Sequence, residues 1–295
     1  MSSAGFLAMA NETCCGLSRA ALRELARRAL AEDIGTGDVT TQWTLPPVTR
    51  ARGTLFAQTR LVVAGVPVAE EVFRILESEI RFEPLIEDGV ELEKGAALAR
   101  VEGHAASLLG GERVALNFLQ HLAGVATLTR EHVRRLKGLN AQLLDTRKTT
   151  PGLRALEKYA VRVGGGRNHR HRLDEAILIK SNHATLAGGI THALGEALRN
   201  RREPLPIEVE VRSMNELEEA IASGADRALL DNMPVEQVRA CVERARGRLE
   251  LEVSGGITLE NIRAYAETGV DFISVGALTH SAPAKPIHFL VERAT

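Results

Sequence analysis

The chain has 295 residues, of which 44% are hydrophobic, 25% charged and 3% aromatic, with a formal net charge of -1. This is the make-up of a globular protein with material for one large or two medium domains. Near-neutrality and scarce aromatics exclude a global basic field or a base-stacking surface for nucleic acid, so any anion site must be local.

Cys14, Cys15 and Cys241 lack zinc-ligand spacing and are read as reduced thiols of a cytoplasmic protein. No window approaches about 20 uninterrupted apolar residues, so no membrane span is expected. The opening "MSSAGFLAMANETCC" lacks the basic start of a signal peptide, and residues 1–16 are read as a loose extension.

Residues 18–31 have helical periodicity, with Leu22, Leu25, Ala26 and Leu30 on one side. "EDIGTGDVTT" then reads as a glycine-punctuated turn. From Arg52 to Leu109 short strands ("GTLFAQ", "LVVAG", "ALARVEG") surround one helix, "VAEEVFRILES", the pattern of a small α/β sandwich or half-barrel. "DGVELEKGAALARVEG" is similar to the turn-rich sheets of lipoyl or biotinyl carriers, but Lys94 lacks the flanking pattern of a modified lysine, and two strands with a turn is the favoured reading.

"GERVALNFLQHLAGVATLTREHVRRL" predicts a long helix loosened at Gly124, with Arg113 in its first turn after Gly110 and Gly111. Cations are disfavoured at that positive end, so Arg113 is better explained by an anion within its reach. Six strand–helix repeats follow in residues 141–295, predicting a parallel sheet with right-handed crossovers. A closed eight-unit barrel usually needs about 250 residues. The array is therefore an open doubly wound sheet or an incomplete barrel whose gap another domain or a partner subunit must cover.

Ligands of βα proteins bind at the carboxyl ends of strands, and each predicted strand here ends in polar residues or glycine. The first ends in Asp145, Arg147 and Lys148, and the second in Lys180. Glu210 and Asp231 end the third and fourth, Ser254, Gly255 and Gly256 the fifth, and Gly276 the sixth. Lys180 reads as a Schiff-base nucleophile or an anion ligand, and the neighbouring arginines favour the second. Glu210 and Asp231 suit Mg²⁺ held through water, or stabilisation of a cationic sugar. Glu208 is expected to turn to the opposite face of its strand, so that at most one of Glu208 and Glu210 reaches a pocket. "VSGGITLEN" reads as a phosphate cradle, with Thr258 beginning a helix aimed the same way.

"GERVALN", "DTRKTTPG", "VGGGRNHR", "ILIKSNH", "EVEV", "LLDNM" and "SGGIT…ISVGALTHSAPA" together resemble the quinolinate phosphoribosyltransferase family, also named nicotinate-nucleotide pyrophosphorylase (carboxylating). The likeness runs from about Leu30 to about Ala284. It implies an N-terminal α/β sandwich plus an open, incomplete six-stranded α/β barrel: residues 17–122 for the sandwich, 123–280 for the barrel, and 281–295 packing back on the sandwich. It also implies a cytoplasmic homodimer with shared active sites, acting in de novo NAD biosynthesis. Quinolinate would be held by Arg147, His169, Arg170 and Lys180 with Arg113 of the other subunit. Lys148, Glu210 and Asp231 would attend phosphoribosyl pyrophosphate and Mg²⁺, with Glu210 and Asp231 as the metal residues. Ser254, Gly255, Gly256, Gly276 and His280 would take the 5-phosphate. Arg167, His171 and Arg172 fall outside the matched motif and read as surface. Two departures stand out: Ser181 in place of an expected acid, and the tail "AKPIHF". Rival readings are a paralogue acting on another aromatic acid such as nicotinate, a Schiff-base aldolase on Lys180, and a nucleic-acid binder using "RNHRHR".

Overall fold

The computed structural model describes residues 13–294. Most of the expected loose extension lies outside the described residues. Its described part runs into a tight hairpin in which β1 (Thr13–Cys14) pairs with β2 (Leu17–Ser18). Cys15 and Gly16 both have positive φ there, the requirement of a two-residue primed turn.

The chain divides into two units. The first begins with α1 (Arg19–Ile34), capped by the Ser18 side chain and burying Leu22, Ala26 and Leu30. The expected turn after it contains a short helix, α2 (Val39–Thr44), because Asp38 accepts the Thr41 N–H and caps it. β3 (Arg50–Ala57) and β4 (Leu61–Val62) precede α3 (Val66–Leu76), and β5 (Arg81–Pro84), β6 (Glu91–Leu92) and β7 (Ala97–His104) follow it. β14 (Ile287–Arg293) returns to pair with β3, giving an antiparallel sheet in the order β14-β3-β7-β5. α3 covers one face: Phe73 meets Phe289 at 5.7 Å and Phe82 at 6.3 Å between ring centroids. A side chain at Gly53 would run into the Phe289 ring, which is why this strand position is bare.

The long helix α4 (Ala105–Arg135) corrects two expectations. It runs through Gly124 without a break. A Cβ there would lie 2.4 Å from the Pro283 carbonyl oxygen, so the glycine serves a close backbone approach. Its start at Ala105 also puts Gly110 and Gly111 inside it, and Gly111 makes room for the Phe73 ring. Arg113 therefore stands beyond the first turn, where the positive helix end no longer disfavours a cation, and its side chain is exposed. α5 (Arg154–Gly164) also belongs to this unit.

The second unit holds β8 (Gln142–Leu144), β9 (Ile177–Ile179), β10 (Ile207–Val211), β11 (Arg227–Asp231), β12 (Glu250–Ser254) and β13 (Phe272–Ser274). All pair in parallel in the order β8-β13-β12-β11-β10-β9. Successive strands from β9 to β13 are neighbours, and β8 closes onto β13, so the order runs around a barrel. β8 and β9 do not pair with each other, which leaves the gap. α6 (Ser181–Ala187), α7 (Ile190–Asn200), α8 (Met214–Ala222), α9 (Val235–Ala245) and α10 (Ile262–Ala266) connect the strands from β9 to β13, and α11 (Ala277–His280) follows β13. Val209, Val211, Ala228, Leu230, Val253 and Ile273 are fully buried on the side opposite the polar strand residues, where helices pack. No helix among the described residues is long and apolar enough to cross a membrane.

Candidate active site

The barrel mouth is built by strand alternation. Side chains two residues apart share a face, and in the second unit that face carries Glu208 and Glu210 on β10, Leu229 and Asp231 on β11, Glu252 and Ser254 on β12, and Ser274 on β13. One cavity of about 320 Å³ draws its lining from the ends of all six strands. Such shared lining is possible only if the sheet curls on itself. The expectation that Glu208 faces away from the Glu210 side is corrected by the same rule: Glu208 points inward and bonds His169.

Most of the expected site residues meet in this cavity. Arg147, Lys148, His169, Arg170, Lys180, Glu210, Asp231 and Ser254 all line it. Asp145, fully buried at the end of β8, holds the loop bearing the "NHR" motif. Its Oδ1 accepts the His169 N–H at 2.9 Å, and its Oδ2 accepts from the Asn168 amide. Arg170 donates to the Ala176 carbonyl at 2.7 Å. Burial pulls its guanidinium pKa down, and the Arg147 charge adds to this. A pocket that holds two guanidinium groups against their own repulsion is prepared for an anion.

Glu210 and Asp231 stand on adjacent strands and converge on one cation. Arg212 reaches Glu210 Oε1 at 3.2 Å and Asp231 Oδ2 at 3.4 Å.

The phosphate cradle is only partly as expected. Gly255 (φ +96°) and Gly256 (φ +64°) turn the chain after β12, and a Cβ on Gly255 would lie 2.2 Å from Asn232 Oδ1. Gly276 allows Lys148 and His280 to close in, with a Cβ at 3.1 and 3.2 Å from them. Thr258, however, does not begin a helix. Asn261 accepts the Thr258 N–H and donates to the Gly256 carbonyl, tying both groups into a turn, and α10 starts only at Ile262. Bare backbone, not a helix end, is what this loop offers an anion.

Under the mouth lies a layer of buried charged side chains. His169 Nε2 is 3.0 Å from Glu208 and 3.7 Å from Glu252, and Arg227 approaches Glu252 at 3.5 Å. Burial, and then the Glu208 charge, push the Glu252 carboxyl well above its ordinary range. The signal was present in "IEVEV" and "LELEVS", where polar residues alternate inward two positions before each strand end. Of the remaining cations in the basic window, Arg167 bridges to Leu144 at the β8 edge, while Arg172 pairs with Asp174 and Glu175.

Comparisons with known proteins agree with this architecture. Residues 38–123 match the N-terminal domain of the family described as quinolinate phosphoribosyl transferase, and residues 125–289 match its C-terminal domain. The chain is 44% identical over 260 residues to the probable nicotinate-nucleotide pyrophosphorylase [carboxylating] of Bacillus subtilis, covering 88% of this chain and 90% of that one. It is 45% identical over 269 residues to the enzyme of that name from Mycobacterium leprae, covering 88% and 94%. Among solved structures, NadC from Streptococcus pyogenes superposes with a TM-score of 0.91 at 38% identity, covering 95% of this chain and 99% of that one. The nicotinate-nucleotide pyrophosphorylase of Francisella tularensis gives 0.90 at 40% identity over the same shares.

Proposed function

The chain belongs to the quinolinate phosphoribosyltransferase family, and from that premise we propose that it transfers the phosphoribosyl group of 5-phosphoribosyl 1-pyrophosphate to quinolinate. The products are nicotinate mononucleotide, pyrophosphate and carbon dioxide. The observation that carries the reading is one cavity that brings Arg147, Arg170 and Lys180 together with Glu210 and Asp231. A dianionic pyridine needs such cations, and a cation-bound sugar diphosphate needs such carboxylates.

The roles follow from charge and placement. Arg147, Arg170 and Lys180 hold the two carboxylates, with His169 setting the loop between them and Arg113 of a second subunit adding a cation. A planar guanidinium suits a carboxylate. Held this way, the ring nitrogen attacks the anomeric carbon with its lone pair while the carbon–oxygen bond to pyrophosphate breaks. The sugar gains oxocarbenium character, which the carboxylates of Glu210 and Asp231 stabilise. Lys148, close to Gly276, meets the departing phosphates. Ser254, the Gly255–Gly256 turn, Gly276 and His280 hold the 5-phosphate. Once alkylated, the ring nitrogen is positive and accepts the electron pair released when the adjacent carboxylate leaves as carbon dioxide. A proton from solvent then fills the vacated ring position.

Glu210 and Asp231 fit a divalent metal: both are hard oxygen donors, and they already converge on one cation, Arg212. Bound there through water, Mg²⁺ would neutralise the diphosphate. A cytoplasmic setting is supported by the unpaired state of Cys14, Cys15 and Cys241. A homodimer belongs to the same reading, in which Arg113 comes from a second subunit.

Incubation of the protein with quinolinate, phosphoribosyl pyrophosphate and Mg²⁺ tests the reading. Nicotinate mononucleotide and carbon dioxide are expected in equal amounts, and their absence with folded protein refutes it. Mixing Arg113→Ala with Lys180→Ala subunits tests the sharing of sites. Partial recovery of activity is expected, and none despite subunit exchange argues against it.

A further inference from the structure

Arg212 is the first residue after β10, and no role above claims it. Its Nη2 lies 3.2 Å from Glu210 Oε1 and donates to Ser181 Oγ at 2.9 Å, while its Nε lies 3.4 Å from Asp231 Oδ2. The two carboxylates are sunk, with side chains 12% and 21% exposed, whereas the Arg212 side chain is 56% exposed. The guanidinium thus caps the pair from the solvent side. Two like charges on adjacent strand ends repel at reduced dielectric and need a counter-ion. The arginine supplies one, and at its exposure leaving the pair costs it little. Its backbone is fixed independently, since the Arg212 N–H donates to Glu216 Oε2 at 2.6 Å. The side chain can therefore swing away without unseating the loop.

We propose that Arg212 is the resident counter-cation of the Glu210–Asp231 pair and is exchanged for the divalent metal. The inference rests on the assignment of those two carboxylates to the metal. A hydrated metal and the guanidinium would draw on the same carboxylate oxygens, so the guanidinium competes with free metal in the empty enzyme. Ser181 Oγ helps it compete by holding Nη2 in place. A diphosphate arriving with the metal gives the displaced guanidinium a new anion, and the competition then ceases. Arg212 in this way favours metal that comes with its diphosphate over metal alone.

Mn²⁺ titration of the full-length protein, followed by electron paramagnetic resonance without substrates, tests this. Arg212→Gln is expected to bind Mn²⁺ about two- to fivefold more tightly than the parent, the size of a partly exposed ion pair lost to competition. Arg212→Lys keeps the charge but spans the two carboxylates less well, and falls between. With saturating inorganic pyrophosphate the difference narrows. Quinolinate affinity by calorimetry stays unchanged in both variants, which shows the barrel intact. Equal or weaker Mn²⁺ binding in both variants, while Glu210→Gln weakens it, overturns the counter-cation role and leaves the metal assignment standing. Mn²⁺ binding indifferent to Glu210→Gln removes the metal assignment itself, and the inference with it.

Discussion

His169 gives its Nε2 hydrogen to Glu208 across 3.0 Å, while its Nδ1 accepts the backbone N–H of Arg170 at 2.8 Å. The second bond fixes the first, because a nitrogen that accepts carries no proton, so the hydrogen sits on Nε2. Both ring nitrogens are then engaged within the protein. The imidazole acts as a strut between the barrel interior and the backbone that carries the Arg170 guanidinium. Glu208→Leu removes the acceptor and leaves a buried donor unmatched, at a cost of about 1–3 kcal/mol. Quinolinate KM should rise with it as Arg170 loses its aim. Glu208→Gln keeps an oxygen for Nε2 and should recover most of the affinity. Chemical denaturation and steady-state kinetics on the two variants check this; equal KM values would deny His169 a positioning role.

Gly255 and Gly256 are separable by experiment. A side chain at Gly255 meets both a positive φ and the Asn232 amide, whereas Gly256 has the positive φ with nothing within 4 Å. Gly256→Ala should cost about 1–2 kcal/mol of stability from backbone conformation alone. Gly255→Ala should cost more and raise KM for phosphoribosyl pyrophosphate, since Asn232 must move. Thermal unfolding beside substrate titration distinguishes them, and identical losses would mean that the Asn232 contact yields freely.

Strand-end residues were legible in the sequence because each predicted strand stops at a polar or glycine position, and the barrel order brings those stops together. Lys148, Glu210 and Asp231 were found on that basis alone. The deeper layer was not legible in the same way: Glu208 was turned to the wrong face although it stands two residues from Glu210, and Glu252, two residues before Ser254, lies short of the strand end. Gly124 read as a helix weakness and Gly111 as lying before the helix, since a sequence does not say which distant Pro283 or Phe73 needs the space. Thr258 does not begin a helix for a local reason: the Asn261 side chain bonds both the Thr258 N–H and the Gly256 carbonyl and holds this segment as a turn ahead of α10. Arg212 carried no signal, since its meaning lies in the pairing of β10 with β11.

Arg170 should be the cation whose loss is felt most by the acid substrate. It lies partly buried, with its pKa lowered by desolvation and by Arg147, and quinolinate would relieve both. Arg170→Met is expected to raise quinolinate KM by about 10- to 100-fold, the loss of a desolvated charged contact. Inhibition by inorganic pyrophosphate, assigned to Lys148 and the metal and not to Arg170, should stay within about twofold, well under one desolvated contact. Parallel losses for both ligands would show that the cations and carboxylates are not divided as proposed.

Glu252 links the buried layer to pH. Desolvation, and then the Glu208 charge, raise its carboxyl well above the ordinary value of 4.5. The folded protein therefore keeps a proton there that the unfolded chain releases. The stability tied to that proton is complete below pH about 4.5 and drains away as pH climbs through the folded value. Glu252→Gln carries a permanently neutral amide of the same shape, so this slope disappears. Its loss of the Arg227 contact at 3.5 Å lowers stability by a nearly constant amount. Urea midpoints from about pH 5 to 9 should accordingly fall less steeply in Glu252→Gln than in the parent, with the variant gaining ground at the alkaline end. Parallel curves would mean that Glu252 is already ionised in the fold and that Arg227 and His169, not a retained proton, compensate its burial.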